Sequence, residues 1–202
     1  MDNLGKAYQT LTVRTRPAEN RNVHRGFLRS LLWITLTTLT IIVGAFLSLL
    51  MTSDPLTIEQ RQLVAEAILV VEQGGFTSEA STLRNIVFYR SSDSWWNKYV
   101  GHQNAYAATN FPFAVVTLYP AFFRFSVDAT ERAAILLHES HHVFGADERM
   151  ALQRVWIDKQ KLGWTAERYS RTRVWRNTRE WTMGAVPGLF QCGLDGQSDC
   201  VE

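Results

Sequence analysis

The sequence predicts an α+β protein: a single N-terminal transmembrane helix followed by a small, mainly helical domain that carries a small sheet. Three observations lead there. The 24 residues Ser30–Ser53 contain no Asp, Glu, Lys or Arg, whereas a helix crossing the hydrocarbon core needs about 20 apolar residues. Beyond that stretch, apolar residues recur at three- and four-residue intervals in four segments, while two short runs rich in β-branched and aromatic residues read as strands. The chain has 202 residues, 46% of them apolar, and two cysteines, which suits one domain of ordinary size. A disordered tail, a disulfide-dense miniprotein and a collagen-like chain are excluded.

The net charge of +2 hides an asymmetry. Lys6, Arg14, Arg16, Arg21, Arg25 and Arg29 oppose only Asp2 and Glu19 in the first 29 residues, so the rest of the chain is slightly acidic. Basic residues flanking a span remain on the cytoplasmic side. The expected organisation is a basic cytoplasmic tail (1–29), a membrane anchor (30–53) and a periplasmic or extracellular domain (54–202). The threonines in the span cost little, because their hydroxyls return to the helix's own carbonyls. Val43-Gly44-Ala45 loosely resembles a signal-peptidase site, but apolar residues continue through Met51, which favours a retained anchor. A nucleic-acid partner needs a basic face on the folded domain and is not expected. In an oxidising compartment Cys192 and Cys200 are expected to form a disulfide across a turn-rich loop, pinning the C-terminus.

Within the exported domain, Thr57-Ile58-Glu59-Gln60 is a capping box. Leu63, Val64, Ala67, Ile68 and Val71 follow on one face until Gly74-Gly75, so a helix is predicted over 57–73. Leu83–Arg90 reads as a strand, and Phe113–Tyr119, stopped by Pro120, as a second. Asp128 offers an N-cap with Glu131 as its return partner, opening a helix that runs through Ala133–Leu137 to Gly145. A third helix, Asp147–Leu162, presents Ala151, Leu152, Val155 and Trp156 to the core and ends at Gly163. The last, Thr165–Thr182, carries Arg168, Arg171, Arg173, Arg176 and Arg179 either on a solvated face, with Trp175 and Trp181 packed on the core, or against anionic lipid headgroups or an acidic partner near the anchor.

The chemistry concentrates in His138-Glu139-Ser140-His141-His142. Residues four apart share a helix face, so His138 and His142 can aim imidazole nitrogens at one ion, and Glu139 can reach water bound to it. This is the HExxH arrangement. A zinc ion with three protein ligands keeps one position for water, and a glutamate beside it can serve as general base. His141, about 100° around the helix from His142, is expected behind the ligands or at the surface.

The segment Phe113–Ala151 resembles the active-site helix of zincin metallopeptidases and the strand beside it. That resemblance implies a zinc-dependent, endopeptidase-like domain whose strand guides extended substrate. His142-Val-Phe-Gly145-Ala-Asp147-Glu148 is similar to the metzincin spacing HExxHxxGxx plus a ligand, with glutamate where that clan usually has histidine. Glu148 is the favoured third ligand and Asp147 the alternative; Glu167 or Glu180 would be a distant one. An aspartate ligand would resemble the aspzincins, whose GTxD motif is absent, and a glutamate from the next helix the gluzincins, which place it further on. Met183 does not fit the metzincin Met-turn and reads as an ordinary core methionine. Tyr119, Tyr169 and His102 are candidates for stabilising an oxyanion.

The function expected from these features is a membrane-anchored zinc metallopeptidase acting on protein or peptide outside the cytoplasm. Hydrolysis of a non-peptide amide or ester would use the same three groups. A membrane-tethered interaction domain, in which the motif is incidental, would leave His138 and His142 pointing apart.

Overall fold

The computed structural model describes residues 19–100, 106–193 and 198–201. It is α+β: a long N-terminal helix, a mainly helical domain and a three-stranded sheet. The chain divides into two compact units, Met1–Gly44 and Ala45–Glu202.

Helix α1 (Glu19–Met51) contains a stretch, Gly26–Met51, long and apolar enough to cross a membrane. Only 6% of its most apolar window is buried, whereas the core helix of a soluble protein would be largely covered. Thr35 and Thr40 donate their hydroxyls to the carbonyls of Leu31 and Leu36 at 2.9 and 2.8 Å, which satisfies them without water. The folded unit starts at Ala45. Leu49 and Ser53 are buried in it, so the apolar stretch and the domain overlap.

In the domain, α2 (Ile58–Gln73) begins at the predicted capping box, with Thr57 and Gln60 each bonded to the other's backbone N–H. The first predicted strand, Leu83–Arg90, is strand only over Phe88–Arg90 (β1), and its first three residues end a helix: α3 (Thr77–Asn85) buries Ala80 and Leu83. Those two residues lie three apart, a helical interval that the apolar run after Asn85 obscures. After the short α4 (Trp95–Val100) come β2 (Ala107–Asn110), which no apolar alternation announces, and β3 (Val115–Leu118). The order is β1-β3-β2, with β3 parallel to β1 and antiparallel to β2.

Helix α5 (Pro120–Phe125) leads to α6 (Ala129–Val143), where every residue from Ala133 to Leu137 is buried. This helix packs against α2, α3, α7 and β2 and forms the axis of the core. Its Asp128 cap accepts from the Thr130 and Glu131 N–H groups. The return bond from Glu131 goes to the Val127 N–H instead of the capping residue's own. Helix α7 (Glu148–Asp158) passes into a 3-10 turn, Lys159–Leu162, and Gly163 closes it as predicted.

The expected last helix is two, α8 (Ala166–Tyr169) and α9 (Arg173–Ala185). The break falls where Thr172 caps α9 through the Trp175 N–H and donates its hydroxyl to buried Glu131. Tyr169 beside it donates to Asp128 at 2.7 Å. These polar ties to the start of α6 outweigh helix continuity. Trp175 is buried, but Trp181 is 39% exposed, and Met183 is exposed on α9 rather than in the core.

Trp156, Trp164, Trp175 and Phe190 form one aromatic cluster with centroids 4.9–6.1 Å apart. Cys192 and Cys200 are disulfide-bonded. The loop they close delivers Asp199 to the fully buried Lys159 Nζ at 3.0 Å and to the Trp156 indole N–H at 2.9 Å. Removing one partner of a buried ion pair costs about 3–5 kcal/mol, while replacing both can be neutral. Asp199→Ala is therefore expected to lose about that much, and Lys159→Met/Asp199→Asn to recover most of it, in urea unfolding of the full chain followed by near-UV circular dichroism. Equal losses in both variants would mean that the buried charge is not the cause.

Candidate metal centre

His138 and His142 stand one turn apart near the end of α6 with their Nε2 atoms 3.0 Å from each other. Glu148, the first residue of α7, brings Oε2 to 3.1 Å from His142 Nε2 and Oε1 to 3.6 Å from His138 Nε2. The three residues thus offer ligand atoms that lie within 4.8 Å of one another, a group able to hold a metal ion.

The turn between the two helices makes this convergence. Gly145 has φ +82°, a conformation costly for residues with a Cβ. The Ala146 N–H reaches the His141 carbonyl and the Gly145 N–H that of His142, a Schellman closure of α6. The same turn aims the Ala146 carbonyl at His142 Nδ1, 2.9 Å away. A carbonyl only accepts, so Nδ1 carries the proton and the neutral ring presents the lone pair of Nε2 to the centre. Asp147, the alternative third ligand, caps α7 through the Met150 N–H at 2.8 Å and is not part of the cluster.

Electrostatics reinforce the geometry. Burial opposes a charge on His142, but the Glu148 and Glu139 carboxylates outweigh it and its pKa is pushed up to about 9. The two imidazoles in turn hold the Glu148 carboxyl well below its ordinary range. His141 is buried, not at the surface as one expectation had it. Burial, with Arg154 adding to it, pushes its pKa down to about 4.

Glu139 is 4% exposed and lines the same cleft as the three ligand residues. Its Oε2 accepts from Thr109 Oγ1 at 2.7 Å, so one oxygen is held by β2 while the other has no hydrogen-bond partner among the described residues. The cleft has a volume of about 1000 Å³ and runs between α6, β2, the start of α7 and α9.

Several expected participants lie elsewhere. Tyr119 donates to Asp93 and Tyr169 to Asp128, and neither lines the cleft. His102 lies outside the described residues. Glu167 is not at the cleft, and Glu180 lines it without joining the cluster. The predicted strand 113–119 becomes the central β3, and it is β2 whose Ala107, Ala108 and Thr109 border the cleft. Sequence reasoning missed Tyr106, Thr109 and Thr178 in these walls, since none carries a spacing signal. No protein family, curated protein or solved structure matches the chain.

A metal must take Nε2 of His142 unprotonated, so its affinity is expected to rise about tenfold per pH unit between pH 6.5 and 9. The metal-free domain should respond in the opposite sense. His142 has a folded pKa above its unfolded value of about 6.5, so its contribution to stability is complete below that pH and is lost as pH rises through about 9. Chelator-competition titrations and metal-free melts across this window check both; a pH-independent metal affinity would remove His142 from the ligand set.

Proposed function

We propose that the chain is a membrane-anchored zinc metallopeptidase, with its N-terminus cytoplasmic and residues 54–202 outside the cytoplasm. The observation that carries this reading is the meeting of His138, His142 and Glu148 beside a buried carboxylate that faces the same cleft. Two imidazoles and one carboxylate are a donor set suited to catalytic zinc. Tetrahedral bonds of about 2.1 Å put ligand atoms about 3.4 Å apart, close to the 3.0, 3.1 and 3.6 Å found. The asymmetry of basic residues across the span supports the orientation.

Zinc, when bound, lowers the pKa of a coordinated water towards 7 and polarises a substrate carbonyl. Glu139 accepts the water's proton and delivers it to the leaving amine. Thr109 holds Glu139 Oε2, so the free Oε1 is the oxygen that works. The Ala146 carbonyl keeps His142 in the ligating tautomer. Strand β2 is bonded to β3 on one side only among the described strands, so its other edge offers main-chain groups to an extended peptide.

The purified protein is expected to hold one zinc per chain by elemental analysis. Glu139→Gln should keep the metal and lose about 10³-fold in cleavage of a fluorogenic peptide library, within the span usual for general bases. Thr109→Val should retain the metal and lower kcat about tenfold. A protein that purifies without metal after zinc reconstitution would sink the proposal.

A further inference from the structure

The last residues of the apolar stretch, from Ala45 to Met51, belong to the folded unit. Phe46 packs its ring against Phe88 at 5.3 Å and Phe113 at 6.1 Å. The Ser48 hydroxyl accepts from the Trp95 indole N–H at 3.0 Å, and Thr52 from the Trp95 backbone N–H at 3.3 Å. Arg90 donates to the Leu50 carbonyl and to Ser53.

Gly26–Met51 contains 26 residues, about 39 Å of helix against a hydrocarbon core of about 30 Å. With Arg29 left outside the core, about 20 residues counted from Ser30 reach Leu49, so Phe46–Leu49 fall at the edge of the core and the residues from Leu50 onward beyond it, the segment these side chains surround. They are themselves unusually apolar for a surface. Phe88 is 50% exposed, Trp95 49%, Trp96 45% and Tyr99 81%. On α4, which also carries Lys98, Trp95 meets Trp96 edge to face at 5.6 Å and Trp96 meets Tyr99 at 5.9 Å with the rings tilted. Exposed Trp and Tyr next to a span, with a lysine among them, have the chemistry of the headgroup interface, where an apolar ring body and a polar edge are both satisfied.

The same surface leads to the cleft. Phe113, against Phe46, is two residues from Phe111, which is 63% exposed and lines the cleft. Two residues span about 7 Å at most, so the cleft opens next to the residues that touch the end of the apolar stretch.

We propose that Phe88, Trp95, Trp96 and Tyr99 dock on the bilayer interface at the end of the span and hold the cleft against the membrane, so that it receives juxtamembrane segments of other membrane proteins. The docking stands on these contacts alone; the substrate class rests on the peptidase reading. The occupant of this aromatic face is the lipid surface because the face is contiguous with the membrane-crossing helix itself.

The test uses the full chain in nanodiscs whose lipids are brominated just below the headgroup. Quenching of tryptophan emission is expected, and W95F/W96F should remove about half or more of the quenchable part, Trp33 in the span supplying the rest. An unchanged quenchable fraction in that variant overturns the docking, whether or not the protein is catalytic. For the substrate class, one cleavable segment is placed about 5 residues from the span of a co-reconstituted protein or behind a flexible spacer of about 40 residues. Cleavage is expected to favour the near position about tenfold, and W95S/W96S/Y99S should erase the preference while a short soluble peptide is cut as before. Equal cleavage at both positions by the unmodified chain overturns the substrate class, and absence of any cleavage overturns the peptidase reading instead.

Discussion

The hydrogen bond between His142 Nδ1 and the Ala146 carbonyl joins the end of α6 to the turn that starts α7. Without the left-handed Gly145, the chain would leave α6 in another direction, and Glu148 would not return to within 3.6 Å of both imidazoles. One short turn therefore does three things: it closes a helix, chooses a histidine tautomer and brings Glu148 to the two imidazoles. The cluster depends on α6 and α7 keeping a fixed relation beyond that turn, and the rest of the domain is organised to keep it.

Two buried polar assemblies do much of that, one near each end of the helix pair. At the start of α6, Asp128 and Glu131 are tied to Tyr169 and Thr172, which breaks the C-terminal helices apart and seats α9 beside the cleft. At the end of α7, Lys159 and Trp156 share Asp199 from the disulfide loop. Between them the tryptophan cluster fills the volume that aliphatic side chains fill around α2 and α6. Removing a polar partner from such a place leaves an unsatisfied group in a low-dielectric interior, so these ties favour one arrangement of the helices over near alternatives.

Much of this is legible in the sequence where the physics is local. The span follows from an uninterrupted absence of charge. The capping box at Thr57, the Asp128 cap, the helix stops at Gly74, Gly145 and Gly163, and the facing of His138 and His142 follow from residue type and helical spacing. That Glu148 joins the cluster while Asp147 caps α7 is decided by the turn at Gly145 and not by residue type, since either carboxylate could have served as the cap. What is not legible depends on partners distant in sequence. Strand β2, Ala-Ala-Thr-Asn, has almost no strand signal and exists because β3 offers it an edge. Thr109 acquires its role because that pairing places it against Glu139, thirty positions later. The break before α9 is set by Glu131, 41 residues away, and α3 was masked by an apolar run that belongs partly to β1.

The charge of the cleft gives the arrangement a further consequence. Glu139, Asp147, Glu148 and Glu180 line it with His138 and His142, and among the described residues no lysine or arginine does. Carboxylates converging in a partly dry space repel one another, and a divalent cation relieves this more effectively than a single proton shared between the imidazoles and Glu148. The same field disfavours phosphate-bearing chains and favours neutral or cationic segments. The same electrostatics that bring the two imidazoles and Glu148 together therefore also narrow what can approach the cleft.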